Sequence, residues 1–208
     1  MSASKVILIE IESKVWYDFL KLIVRLGVRM IRIRLANECD AEELLKIYQP
    51  YVTDTTISFE YKVPSLTEFR QRITSTLEDY PFLVAENQSG NLLGYAYAHA
   101  YNNRPGYAWT AEATIYLATE AKGKGVGSKL YRHLEKEVIE QNIFYLVACI
   151  TGDNHASQVF HKKLGYQQVA KFQQFAYKLG NWYDIVWMQK RLAKPSKEPL
   201  PMIPYSKL

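Results

Sequence analysis

The chain predicts an α+β fold: one mixed, mostly antiparallel sheet flanked by helices. Two kinds of segment point to it. Short apolar and aromatic runs, such as residues 82–86 and 92–98, are joined by a polar turn over residues 87–91, as in a hairpin. Elsewhere apolar residues recur at helical spacing, as Leu130, Tyr131, Leu134 and Val138 do. The two kinds interleave from Met30 to about residue 192, with no repeat and no shift in composition that would split the region. A 208-residue chain with 48% hydrophobic content is enough for one well-filled core.

Residues 30–34 alternate as a first strand. Asp40 caps a helix from Ala41 to about Tyr51, with Leu44, Leu45 and Ile47 inward. Residues 55–60 read as a loop entering a short strand. Ser65 and Glu68 have capping-box spacing and open a helix that runs through Leu77. After the hairpin, residues 107–118 return as a strand, and the helix that follows ends near Gln141. Residues 144–150 form a buried strand. Residues 154–164 form a helix closed by Gly165. Two antiparallel strands, 168–177 and 182–189, meet around Gly180 and Asn181. The Pro- and Lys-rich tail over residues 193–208 is expected to lie on the surface or fray.

Residues 1–29 stand apart from the domain at 30–192. Val15, Trp16, Phe19, Leu20, Ile23 and Leu26 follow amphipathic helical spacing. This stretch is too short and too charged for a membrane span, and no small-residue cleavage site marks a signal peptide. Two readings stand. Either it is a helix that packs on the domain, or Met30 is the natural start, since residues 26–29 can be encoded by a purine-rich ribosome-binding sequence.

The net charge of +5 is mild and the lysines are scattered, which argues against a nucleic-acid footprint and leaves room for an anionic small molecule. Cys39 and Cys149 are too few for a disulfide framework, Cys149 reads as a buried small hydrophobe, and no His set has metal-ligand spacing. The reading is a cytoplasmic protein without a metal, a membrane or a nucleic-acid partner.

The most informative stretch joins the strand holding Ile115, Tyr116 and Leu117 to the helix starting near Ser128, through Lys122-Gly123-Lys124-Gly125-Val126-Gly127. Glycines allow a backbone that comes close to a ligand, and the helix start offers unpaired N–H groups and partial positive charge. A Walker loop is excluded, because Ser128 stands where its second Gly belongs. A dinucleotide fingerprint is excluded by the Gly-x-Gly-x-Gly spacing. What fits is Arg/Gln-x-x-Gly-x-Gly/Ala, with Lys122 in place of Arg or Gln. This is the pyrophosphate loop of the GCN5-related N-acetyltransferases, which the chain resembles.

The resemblance extends over about residues 31–191 and is specific to the phosphinothricin N-acetyltransferase branch. It is carried by Trp109-Thr110-Ala111-Glu112, by Gly152-Asp153-Asn154, by Phe160-His161-Lys162-Lys163-Leu164-Gly165-Tyr166, and by residues 177–187. It implies acetyl-coenzyme A as cofactor, bound by Ile115, Tyr116, Leu117, by residues Lys122, Gly123, Lys124, Gly125, Val126, Gly127 and Ser128, and by Asn154. It implies Glu112 as the base that takes the amine proton and His161 as the acid for the departing thiolate. Backbone N–H groups near Tyr116 and Leu117, where the sheet splays, would stabilise the oxyanion. Phe59, Glu60, Arg104, Tyr107 and Thr110 fall where the branch builds its substrate site, and Arg104 is suited to a substrate carboxylate. The acceptor implied is a small amino acid or an analogue such as phosphinothricin or methionine sulfoximine, and the assembly a homodimer. An acceptor of another class (a protein N-terminus or polyamine) and a non-catalytic coenzyme A-binding module are the competing readings.

Overall fold

The computed structural model describes residues 31–208, so the expected helix within residues 1–29 lies outside the described residues. Seven strands form one sheet in the order β1-β2-β3-β4-β5-β7-β6. They are β1 (Arg32–Leu35), β2 (Phe82–Glu86), β3 (Leu92–Ala100), β4 (Thr110–Leu117), β5 (Tyr145–Thr151), β6 (Gln167–Lys178) and β7 (Asn181–Arg191). Every neighbouring pair is antiparallel except β4 and β5. Among the described residues four α-helices flank the sheet: α1 (Ala41–Thr53), α2 (Leu66–Asp79), α3 (Val126–Glu140) and α4 (His155–Lys163).

Local chemistry sets most boundaries. Ser65 and Glu68 close a reciprocal capping box at the start of α2. The Asn87 side chain accepts from the Ser89 and Asn91 amides at 2.9 and 3.0 Å, which shapes the β2–β3 turn. Leu179 and Gly180, at φ 48° and 81°, make the two-residue turn between β6 and β7. Lys178 therefore pairs with Asn181, and the turn sits one residue earlier than expected.

The helices pack on both faces. Leu44 and Tyr48 of α1 and Phe69 and Ile73 of α2 cover Phe82, Val84 and Tyr95 on one face. On the other, Leu130, Tyr131, Leu134 and Val138 of α3 lie over Ala85, Ala96, Ala98, Ala111 and Ala113. Those small side chains let α3 come close to the sheet, so a cavity at the fully buried Leu130 would cost about 2–5 kcal/mol.

Two expectations are corrected. Residues 55–60 form no strand; side chains hold their backbone instead, as described below. Residues 105–107 make a 3₁₀ turn, so β4 begins only at Thr110. The tail lies on the surface, the first of its two expected readings, and is tied down there. Ile203 exchanges hydrogen bonds with Gln141, and the Leu200 carbonyl accepts from the Trp109 indole at 2.7 Å.

One irregularity of the sheet matters most. β4 and β5 are paired only where Thr110–Glu112 meets Tyr145–Val147, although β4 continues to Leu117 and β5 to Thr151. Beyond Glu112 the two strands separate, and the sheet opens into a slot.

Candidate active site

A cavity of about 380 Å³ runs through this slot. Glu112, Thr114 and Tyr116 of β4 line it with the α1–α2 side of the molecule, while Ala148, His161 and Tyr131 line it with the α3–α4 side. The ladder explains the division. The Ala118 amide donates to Leu93, so alternation turns the Ile115 and Leu117 amides toward the slot and the Tyr116 amide toward β3. The Tyr51 hydroxyl occupies the far end of the opening, donating to the Leu117 carbonyl and accepting from its N–H.

Glu112 stands at the fork, at the last paired position before the strands part and opposite His99 on β3. Burial raises its carboxyl pKa above the ordinary value, and the charge of His99 offsets this in part. The result is a carboxylate more basic than a solvated one, facing open space.

The other wall is the loop between α1 and α2, with Ile57, Ser58, Phe59 and Glu60. Its anchors come from distant elements. The Tyr48 hydroxyl meets Ser58 Oγ at 2.7 Å, and the Thr151 hydroxyl donates to the Thr56 carbonyl. Lys178, almost fully buried at the end of β6, donates to the carbonyls of Val52 and Ser58. Phe59 leans toward Tyr183, and Glu60 forms an ion pair with Arg72 of α2 at 2.7 Å.

His161 is buried, with both ring nitrogens engaged. Nδ1 lies 2.8 Å from the Ser157 carbonyl, which can only accept, so Nδ1 carries the proton. Nε2 then accepts from the Tyr131 hydroxyl at 2.8 Å. Burial lowers the ring pKa, and the hydrogen bond to Ser157 counters it. Asn154 caps α4 through the Ser157 amide at 3.1 Å while also lining the cavity.

The glycine-rich turn lies at the other end of the slot. Gly123 and Gly125 have φ of 72° and 78°, and a Cβ at either would meet nothing within 4 Å, so that side of the backbone is open. Gly127 differs: a Cβ there would come within 3.2 Å of the Phe160 ring, so its absence lets α3 and α4 approach. A groove of about 330 Å³ follows the turn, with Gly123, Gly125, Val126, Gly127, Ser128 and Lys163 in its wall. An open glycine backbone at a helix start, with a lysine beside it, fits the pyrophosphate of coenzyme A. Lys122 and Lys124 are not in that wall, and Lys122 instead lies over the Tyr51 ring at 4.8 Å.

Not every expected residue reaches the cavity. Arg104 and Tyr107 lie outside it on the exposed β3–β4 connection, where Tyr107 meets Tyr101 edge-on. Thr110 sits at the paired start of β4, below the fork. Cys149 is corrected: it is exposed, because the parting of the strands uncovers it to the cavity. Its surroundings and the charge of Glu112 nonetheless push the thiol up to about 12, so it stays protonated. Tyr48, Tyr97, Tyr131, Thr151 and Ser157 line the cavity without having been singled out. Only Ser157 had a local signal, its place three residues after a capping Asn.

The chain belongs to the GNAT acetyltransferases, whose domain model, Acetyltransferase (GNAT) domain, matches residues 33–187. It is thus an N-acetyltransferase, and enzymes of this family take the acetyl group from acetyl-coenzyme A. Among its relatives is the phosphinothricin N-acetyltransferase of Alcaligenes faecalis, 37% identical over 175 residues, which cover 81% of this chain and 88% of that one. The L-methionine sulfoximine/L-methionine sulfone acetyltransferase of Pseudomonas aeruginosa is 30% identical over 168 residues, with 80% and 98% covered. The crystal structure of a phosphinothricin acetyltransferase from Sinorhizobium meliloti in complex with AcCoA superposes with a TM-score of 0.78 at 30% identity, covering 84% of this chain and 98% of that one.

Proposed function

We propose that the chain acetylates the α-amine of a small amino acid or amino-acid analogue, of the phosphinothricin and methionine sulfoximine or sulfone type for which its relatives are named. The observation that carries this is the slot beside Glu112, which opens between β4 and β5 and leads to a pocket under the α1–α2 loop. Acetyl-coenzyme A, when bound, supplies an acyl group activated as a thioester. Residues 123–128 at the start of α3 would hold its pyrophosphate and Asn154 its pantetheine arm. The Ile115 amide, turned into the slot, would meet the acetyl oxygen, with the Tyr116 and Leu117 segment beside it.

Glu112 takes the proton from the acceptor amine, directly or through a water, and its raised pKa suits that task near neutral pH. His161 serves the opposite end, delivering a proton to the departing sulfur. Its resting N–H is held by Ser157, so the proton delivered is a second one, taken up at Nε2 where Tyr131 stands. Burial makes that charged ring a stronger acid than a solvated imidazolium, which favours its release. Phe59 and Glu60 would border the acceptor. Arg104 and Tyr107 would reach it only through a movement of the β3–β4 connection, and Thr110, paired with Tyr145 below the fork, would reach it only if the acceptor extends past Glu112.

A thiol-release assay with phosphinothricin, methionine sulfoximine, methionine sulfone and ordinary amino acids tests this reading. Turnover on at least one amino acid above that on polyamines and peptide N-termini supports it; turnover only on the latter overturns it.

The assembly we propose is a homodimer in the cytoplasm. Phe172, Phe175, Tyr177 and Trp182 on β6 and β7 are 42–63% exposed, an apolar surface suited to a second copy. A monomeric mass in light scattering would end that part of the proposal.

A further inference from the structure

The acceptor cavity has the wrong charge for an amino acid. Among the described residues that line it, Glu60 and Glu112 are acidic and none is Lys or Arg. A substrate carboxylate placed between two carboxylates would be disfavoured by like-charge repulsion. Arg104, the cation expected to answer it, lies outside.

A second recess of about 140 Å³ adjoins the first and shares its walls of Tyr48, Tyr97 and Tyr116. Among the described residues Arg72 is the one charged residue in its lining. On α2, Arg72 follows the buried Phe69 by three residues and is followed by Ser75 and Thr76, so it faces the sheet with them. Its guanidinium uses Nη1 on Glu60 at 2.7 Å, and its Nε and Nη2 have no hydrogen-bond partner among the described residues. Tyr97 lines both spaces, sharing the cavity with Glu112 and the recess with Arg72.

We infer that Arg72, held in place by Glu60, reads an acid group of the acceptor and sets the preference for amino acids over simple amines. This rests on the proposed amino-acid acceptor. A planar fork with donors to spare suits a carboxylate or a phosphinate, and a point charge would suit them less well. The three tyrosines give the fork a partly dry setting, where the contact is stronger than in water.

The test compares wild type, Arg72→Met, Arg72→Lys and Glu60→Gln on methionine sulfone, its α-methyl ester and phosphinothricin. Arg72→Met should raise KM for methionine sulfone about tenfold or more, as expected for losing a charge-assisted contact, and should change KM for the ester and for acetyl-coenzyme A less than about twofold. Arg72→Lys should recover part of the loss. Glu60→Gln, which loosens the hold on the guanidinium, should raise KM for the acids by less than Arg72→Met does. If phosphinothricin suffers while methionine sulfone does not, Arg72 reads the side-chain acid and not the α-carboxylate. Equal losses on acid and ester, or none on either, would overturn the inference and leave the amino-acid reading intact. A wild type that acetylates the ester but no free amino acid would overturn both.

Discussion

The two ends of the slot are built in opposite ways. The glycine turn is a local object: seven consecutive residues, two of them at positive φ, leading straight into a helix. The pocket proposed for the acceptor is a distant one. Its wall at residues 56–60 is held by Tyr48 from α1, Thr151 from β5 and Lys178 from β6, the last 120 residues away in sequence from Ser58. A local site depends on what each residue's backbone can do, whereas a distant one depends on whether the whole sheet has closed. Mutations at the two ends should therefore fail in different ways.

The largest effect belongs to the fork between them. Glu112→Gln should lower kcat by about a hundredfold or more while donor binding measured by calorimetry stays unchanged. In wild type the raised carboxyl places the acid limb of kcat/KM above the ordinary carboxylate range, with activity falling as pH drops through it and the base becomes protonated. The glutamine variant should lose that limb. A variant that keeps it would assign the limb to another group.

At the local end, Gly125→Val should weaken acetyl-coenzyme A binding by about tenfold or more, because the new side chain would project into open space where the pyrophosphate is expected. Gly90, at φ 82° in the β2–β3 turn and equally uncrowded, separates strain from site. Gly90→Val should cost a similar stability, about 1–2 kcal/mol, with donor binding intact. If both variants lose binding alike, the turn contributes only through folding.

At the distant end, Lys178→Met should raise KM for the acceptor several-fold and leave KM for acetyl-coenzyme A alone. The Val52 and Ser58 carbonyls lose their donor, a penalty of about 1–3 kcal/mol for a buried group, and the loop that ends at Glu60 loosens. Equal changes in both KM values would mean that Lys178 supports the sheet as a whole. The smallest effect is electrostatic. Tyr131→Phe removes the hydroxyl that donates to Nε2 and favours the neutral ring, so the His161 titration followed by NMR should move to higher pH. A shift to lower pH would show that the hydroxyl instead accepts from the ring.

The interleaved periodicities, the capping box at Ser65 and the strand–glycine–helix turn were legible because each is decided within a few residues by backbone sterics and hydrogen bonding. Glu112 was legible too, since the motif around it is contiguous. Cys149 was misread for the opposite reason. Its run of apolar neighbours describes a buried strand, and only the separation of β5 from β4 uncovers it. Residues 55–60 read as a loop entering a short strand; the loop is there and the strand is not, because the Thr56 and Ser58 carbonyls are satisfied by side chains from elements that the sequence does not bring near. Arg104 stood beside the motif and lies outside the cavity, while Arg72 stood on an ordinary helix and lines the neighbouring recess. The sequence by itself determined most of the elements, the glycine turn and the strand position of Glu112, all of which depend on neighbours along the chain. The slot, the clamp of Lys178 on the acceptor loop and the charge of the pocket were decided only by the tertiary structure, because each is a contact between residues whose separation along the chain says nothing about their separation in space.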